Sequence, residues 1–96
     1  MPKPEQCALP VSAGVGAGDK RDIFRYRDKN VQFFGYTSGT FHLEVSMNGA
    51  DWLQSGADVT ANGFRPIPDT WNWARVRTSV GGAVSAIFAG QDFQAG

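Results

Sequence analysis

The chain has 96 residues, nine basic and nine acidic, and is 42% hydrophobic with 12% aromatic residues. That size and composition specify one globular domain and exclude wholesale disorder, while the cancelling charge leaves no basic footprint for nucleic acid. A single cysteine, Cys7, excludes an internal disulfide, and no apolar run nears the roughly 18 residues of a membrane-spanning helix.

Residues 1–20, "MPKPEQCALPVSAGVGAGDK", carry three prolines and three glycines, with no aromatic residue and no usable period. They read as a flexible N-terminal arm ahead of a β domain over 21–96. Pro2, Pro4, Glu5 and Pro10 interrupt the apolar stretch that a signal peptide needs, so folding in a cytoplasm is expected, with Cys7 a free thiol. Gly14, Gly16 and Gly18 lack the preceding strand and following helix of a dinucleotide loop and read as a hinge.

The texture then changes. "DIFRYR" (22–27) and "VQFFGY" (31–36) are short β-prone runs separated by turn material at Asp28–Asn30. In "TFHLEVSM" (40–47), Phe41, Leu43, Val45 and Met47 alternate with polar residues, the period of a half-buried strand. Asn48-Gly49 predicts a tight hairpin turn, and Trp52 just beyond it is expected to fold back over the open end of the core. A brief strand near Asp58–Thr60 and a second Asn-Gly turn at Asn62-Gly63 follow. Pro66 and Pro68 confine "RPIPDT" to an edge or a crossing segment. "NWARVRTS" (72–79) alternates again, Gly81-Gly82 turns the chain, and "AVSAIFAG" (83–90) closes the pattern. About seven short strands with no helical period predict an all-β, compact antiparallel sandwich or jelly-roll-like domain.

The stretch "YRDKNVQFFGYTSGTFHLEVSMNGADW", followed by "WARVRTSVGGAVSAIFAG", resembles small β-sandwich virion proteins of tailed bacteriophages. The shared pattern is Asp28–Gln32, Gly35, the Ser46–Trp52 hairpin, Trp73–Arg75 and Gly81-Gly82, covering about residues 24–90. The hairpin portion also resembles that of discoidin-type carbohydrate- or lipid-binding domains, and Met47-Asn48 stands where the phage group commonly has Asn-Asp. The phage resemblance implies a structural role in head, neck or tail, foremost as a decoration or cement protein contacting the major capsid protein on the virion surface.

Chemistry-bearing residues are sparse. His42, the lone histidine, has no second histidine or cysteine to complete a metal set, and reads as a surface residue on an ordinary strand. The same scarcity argues against a Ser-His-Asp site. Asp51, Asp58 and Asp69 read as turn carboxylates, so neither enzyme activity nor a cofactor is expected. Aromatic surplus is the stronger signal: Phe41, Trp52 and Phe88 are assigned to the core, while exposed rings beside arginine make an interface. The candidate partner surface comprises Leu9, Pro10 and Val11 as anchors of the arm, with Trp71, Trp73, Arg75 and Phe93. Arg75 and Arg77 are expected either to cover Trp73 or to form salt bridges across the sheet. Self-association is expected from neutral charge and surplus aromatics. A sugar-binding module using Trp71, Trp73 and Tyr36 is the alternative.

Overall fold

The computed structural model describes residues 3–68 and 70–92. Among them are seven strands and no helix: β1 (Lys3–Leu9), β2 (Gly16–Ala17), β3 (Arg21–Asp22), β4 (Tyr26–Ser46), β5 (Leu53–Gln54), β6 (Gly63–Ile67) and β7 (Trp73–Asp92). Every pairing is antiparallel. They belong to one hydrogen-bonded sheet in which β1, β7, β4 and β5 run in order, with β2 and β3 also on β7 and β6 on β4.

The 21 residues of β4 would reach about 70 Å at ~3.3 Å per residue, yet the molecule's longest dimension is 40 Å. The long β4–β7 ribbon therefore bends. The bend lies near residues 35–39 and 80–83, where the ladder slips register between Phe34 and Ser38, between Ser38 and Thr40, and between Thr40 and Phe41. Glycine permits it. Gly39 has φ +97°, and a Cβ there would stand 2.7 Å from the Val80 carbonyl oxygen. A Cβ on Gly82 would land on the Ser38 carbonyl.

The bend makes two limbs. In one, β1, residues 83–92, residues 26–34 and β6 lie side by side; in the other, β2 and β3, residues 73–80, residues 40–46 and β5 do so. The period of two survives the bend: Val31 and Phe33 share the inner face with Phe41, Leu43 and Val45, as Ala74 and Val76 do with Val84, Ala86 and Phe88. Both limbs feed one core, in which each fully buried large apolar side chain contributes on the order of 2 kcal/mol.

Several sequence expectations change in form. Tyr26-Arg27 and the runs at 31–36 and 40–46 form a single strand, because Asp28–Asn30 is a bulge with Asp28 at φ 52° and not a turn, while Asp22 belongs to β3. Gly81-Gly82 likewise bends β7 without ending it. Asn48-Gly49 opens a longer connection between Ser46 and Leu53 in place of a two-residue turn. There the Asn48 side-chain oxygen accepts from the Ala50 and Asp51 amides, both at 2.9 Å. Met47 lies in this connection and is exposed. Pro66 sits on β6, an edge strand paired only to β4, as its missing donor requires.

Residues 1–20 are not a loose arm where they are described. β1 pairs with β7 from Lys3 opposite Asp92 to Leu9 opposite Ala86, and Leu9 is in the core. The Gly14–Gly18 stretch supplies β2, which pairs with Thr78 and Arg77. Prolines made this segment look unstructured, but a strand with one open edge tolerates them.

Candidate functional site

The outer faces of the two limbs differ in chemistry. On the limb containing residues 40–46 and 73–80, the outward side chains include Glu44, Arg75 and Arg77, which are stitched together. Glu44 is nearly buried and accepts from Arg75 Nε at 2.9 Å and from Arg77 Nε at 3.0 Å. The Arg75 guanidinium also lies 4.2 Å from the Trp52 ring centroid. Trp52 is thus half-buried on the outer face, not capping the core. It lies at the end of the connection, next to Leu53, and the cross-strand arginine captured the ring in place of the core. Phe41 and Phe88 are in the core as assigned.

His42 is buried, against the surface position expected. Its Nε2 lies 2.7 Å from Ser79 Oγ, and its Nδ1 is 3.0 Å from Asp58 Oδ1. Asp58 also accepts from Gln54 Nε2 at 2.9 Å. That hydrogen bond, with His42 adding to it, holds the Asp58 carboxyl below its ordinary value. Asp58, His42 and Ser79 stand in the order of a proton relay, although the lone histidine on an ordinary strand argued against such a site; Ser79 is 37 residues from His42 and becomes its neighbour only across the sheet. Asp58 is 56% exposed, and the trio's evident effect is to fasten the 55–60 segment to the sheet, where Val59 bridges Phe41.

Of the candidate partner residues, Leu9 is spent on the core, and Pro10 and Val11 are half-buried beside it. Trp73 is half-buried, and Lys20 Nζ stands 4.8 Å over its ring while donating to the Gly49 carbonyl at 3.0 Å. Arg75 forms the salt bridge across the sheet, the second of its two expected roles, and Arg77 shares it. Trp71 packs partly against the core, and its carbonyl accepts from the buried Lys29 amine at 2.8 Å. It shares a shallow depression of about 280 Å³ with Trp52, Met47, Leu53, Asn48 and Asp51. Tyr36 stands edge-on to Phe41 and donates its hydroxyl to the Gly39 carbonyl at 2.7 Å. Phe93 lies outside the described residues. Cys7 is exposed on β1, with burial by nearby atoms pushing its thiol above the ordinary value.

The other limb's outer face escaped the sequence reading. Its register rows are Gln6–Ala89–Asn30–Pro66, Ala8–Ile87–Gln32–Phe64 and Ser85–Phe34. None of these residues is charged, and Phe64 is 69% exposed. A hollow of about 350 Å³ opens beside the end of β1, between the outward Ala8, Ser85, Ile87 and Phe34, and reaches Leu9, Val11, Val84 and Ala86. The alternation in "VQFF" and "AVSAIFAG" held the signal, but the neutral residues converge only once four strands are aligned.

This arrangement defines a fold class, a bent β4–β7 ribbon flanked by short strands on both edges. The SPBc2 prophage-derived protein YomS, known from its crystal structure, shares it: the TM-score is 0.77 over 95% of each chain, at 12% sequence identity. No family model matches the chain, and no curated protein matches its sequence.

Proposed function

We propose that this chain is a non-enzymatic structural protein of a phage particle, acting by surface contact as a decoration of the head that bridges major capsid subunits. The observation that carries the reading is the run of uncharged rows on the outer face of β1, β7, β4 and β6, bordered by Arg27 and Asp28 in the next row, since depletion of charge is the compositional mark of interface centres. Similarity of fold to a prophage-derived protein along nearly the whole chain supports the phage setting. On the opposite limb the charged groups are largely consumed in mutual pairs that hold the fold. Mass spectrometry of purified particles tests the proposal. Hundreds of copies per particle support head decoration, a handful moves the protein to neck or tail, and absence from particles overturns the structural role.

The Trp52–Trp71 depression favours a second reading, a carbohydrate-stacking site, because indole faces suit sugar rings. Asn48 beside it is occupied: its oxygen accepts from Ser46 Oγ as well as from two backbone amides, and its nitrogen donates to Asp51. Binding of the isolated protein on a glycan array, lost in Trp71→Ala, would support that reading.

A further inference from the structure

We infer that the neutral face of the β1–β7–β4–β6 limb is a self-contact, in which Phe64 of each of two copies seats in the other's hollow between Ala8 and Ser85. The inference rests on the assembly reading for its setting and adds to it the partner and the residues. Three features of the face select a second copy.

First, knob and hollow lie on one face but at opposite sides of it. Phe64 is directly opposite Gln32 on β4, Gln32 is opposite Ile87 on β7, and Ile87 is opposite Ala8 on β1. With strands ~4.8 Å apart, Phe64 stands about 14 Å from Ala8 along one row. A two-fold axis parallel to the strands, passing between β7 and β4, lays each β6 over the partner's β1. Each ring then meets the other hollow at the ordinary sheet-to-sheet separation of about 10 Å. Such isologous pairing is the commonest closed symmetry.

Second, bulk is distributed to match at the seats. The β1–β7 half presents Ala8 and Ser85 beside Ile87, whereas the β4–β6 half presents Phe34 and Phe64. Reversing one copy over the other puts Phe64 on Ala8 and Phe34 on Ser85, with Ile87 facing Gln32. Third, the three rows that meet carry no charge, Arg27 and Asp28 lying one row beyond them, and they present side-chain amides at Asn30 and Gln32. An amide both donates and accepts, so it can pair with its own kind. A charged partner would lose hydration here without gaining a counter-charge.

The footprint is modest. Ten positions over three rows cover roughly 300 Å², below the ~800 Å² per partner of a standard stable interface. The free protein should therefore form a weak dimer, half-assembled on the order of 0.1 mM, whose contacts accumulate where many copies share a lattice.

Sedimentation velocity on the full chain from about 10 µM to about 1 mM tests this. The wild type should shift from monomer to dimer. Phe64→Ala, which empties the knob, and Ser85→Arg, which fills and charges the hollow, should each weaken association about tenfold or more, with circular dichroism confirming retained fold. Because each copy supplies both elements, an equimolar mixture of the two variants keeps one intact seat and should associate more strongly than either variant alone. A wild type that stays monomeric to about 1 mM, a Phe64→Ala variant that associates like the wild type, or a mixture showing no recovery overturns the inference. Absence of the chain from particles would defeat the phage setting while leaving the dimer measurement intact.

Discussion

Glu44 and Arg75 are joined twice, as register partners in the β4–β7 ladder and through a 2.9 Å bond from Arg75 Nε to Glu44 Oε1. The same carboxylate binds Arg77, and the same guanidinium covers Trp52. Removing the carboxylate charge therefore leaves two partly buried cations facing one another. Glu44→Gln should destabilise by about 2 kcal/mol, lowering Tm by roughly 8–16 °C for a domain of this size. Thermal denaturation followed by circular dichroism checks it, and an unchanged midpoint would show that the network is surface decoration.

The bend in the ribbon makes a graded prediction. At Gly82, an added Cβ meets the Ser38 backbone and cannot be relieved by a side-chain rotation, so Gly82→Ala should prevent normal folding or cost more than ~3 kcal/mol. Gly35 has φ +67° but nothing within 4 Å of its would-be Cβ. Gly35→Ala should thus cost only about 1–2 kcal/mol of backbone strain. Urea unfolding of both variants tests the order, and equal effects would refute the steric account of the bend.

These glycines also mark what the sequence could convey. Alternation around Phe41 and Val76 specified inner and outer faces correctly, since side-chain parity is local. Continuity was not local: Gly81-Gly82 supports a hairpin or a bend equally well, and only the partner segment at 35–39 decides between them. The same holds for Asp28, whose positive φ makes a bulge when β7 supplies the ladder on its far side. Trp52 shows the limit for sites. Its place past the Asn48-Gly49 connection was legible, whereas its Arg75 partner lies on a different strand and becomes a neighbour only through register.

Asp58 provides a pH test. Its carboxyl is held below the ordinary 3.8, first by Gln54 and then by His42. The folded state therefore binds this proton less readily than the unfolded chain does. Its contribution is present above that ordinary value and fades as pH falls through the lower folded one. Asp58→Asn should be less stable than wild type at pH 6, with the difference shrinking below about pH 4. A gap in midpoint that is constant from neutral to strongly acid pH would count against the pairing.

The trio containing Asp58 also bears on chemistry. If the protein acts by contact alone, Ser79 is a fastening group and not a nucleophile. Wild type and Ser79→Ala should then hydrolyse p-nitrophenyl acetate at the same background rate, and neither should be labelled by a fluorophosphonate. Labelling of the wild type that is lost in Ser79→Ala would reassign the relay to catalysis.

Leu9 decides whether the N-terminal segment belongs to the domain. It is 2% exposed and lies opposite Ala86 at the end of seven consecutive register pairs between β1 and β7. Tyr26 reinforces the attachment by donating its hydroxyl to Glu5 at 3.1 Å. Truncating a buried leucine removes its transfer energy and leaves a void, so Leu9→Ala should cost about 2–4 kcal/mol in the isolated protein. Deleting residues 1–9 should cost more, because it also strips the hydrogen-bonded edge from β7. Hydrogen exchange gives the finer readout: amides of residues 86–92 that β1 covers should be protected in the wild type and lose protection on deletion. A tether ordered only by a neighbour in an assembly would behave oppositely, with Leu9→Ala neutral in the free chain and those amides exchanging freely from the start.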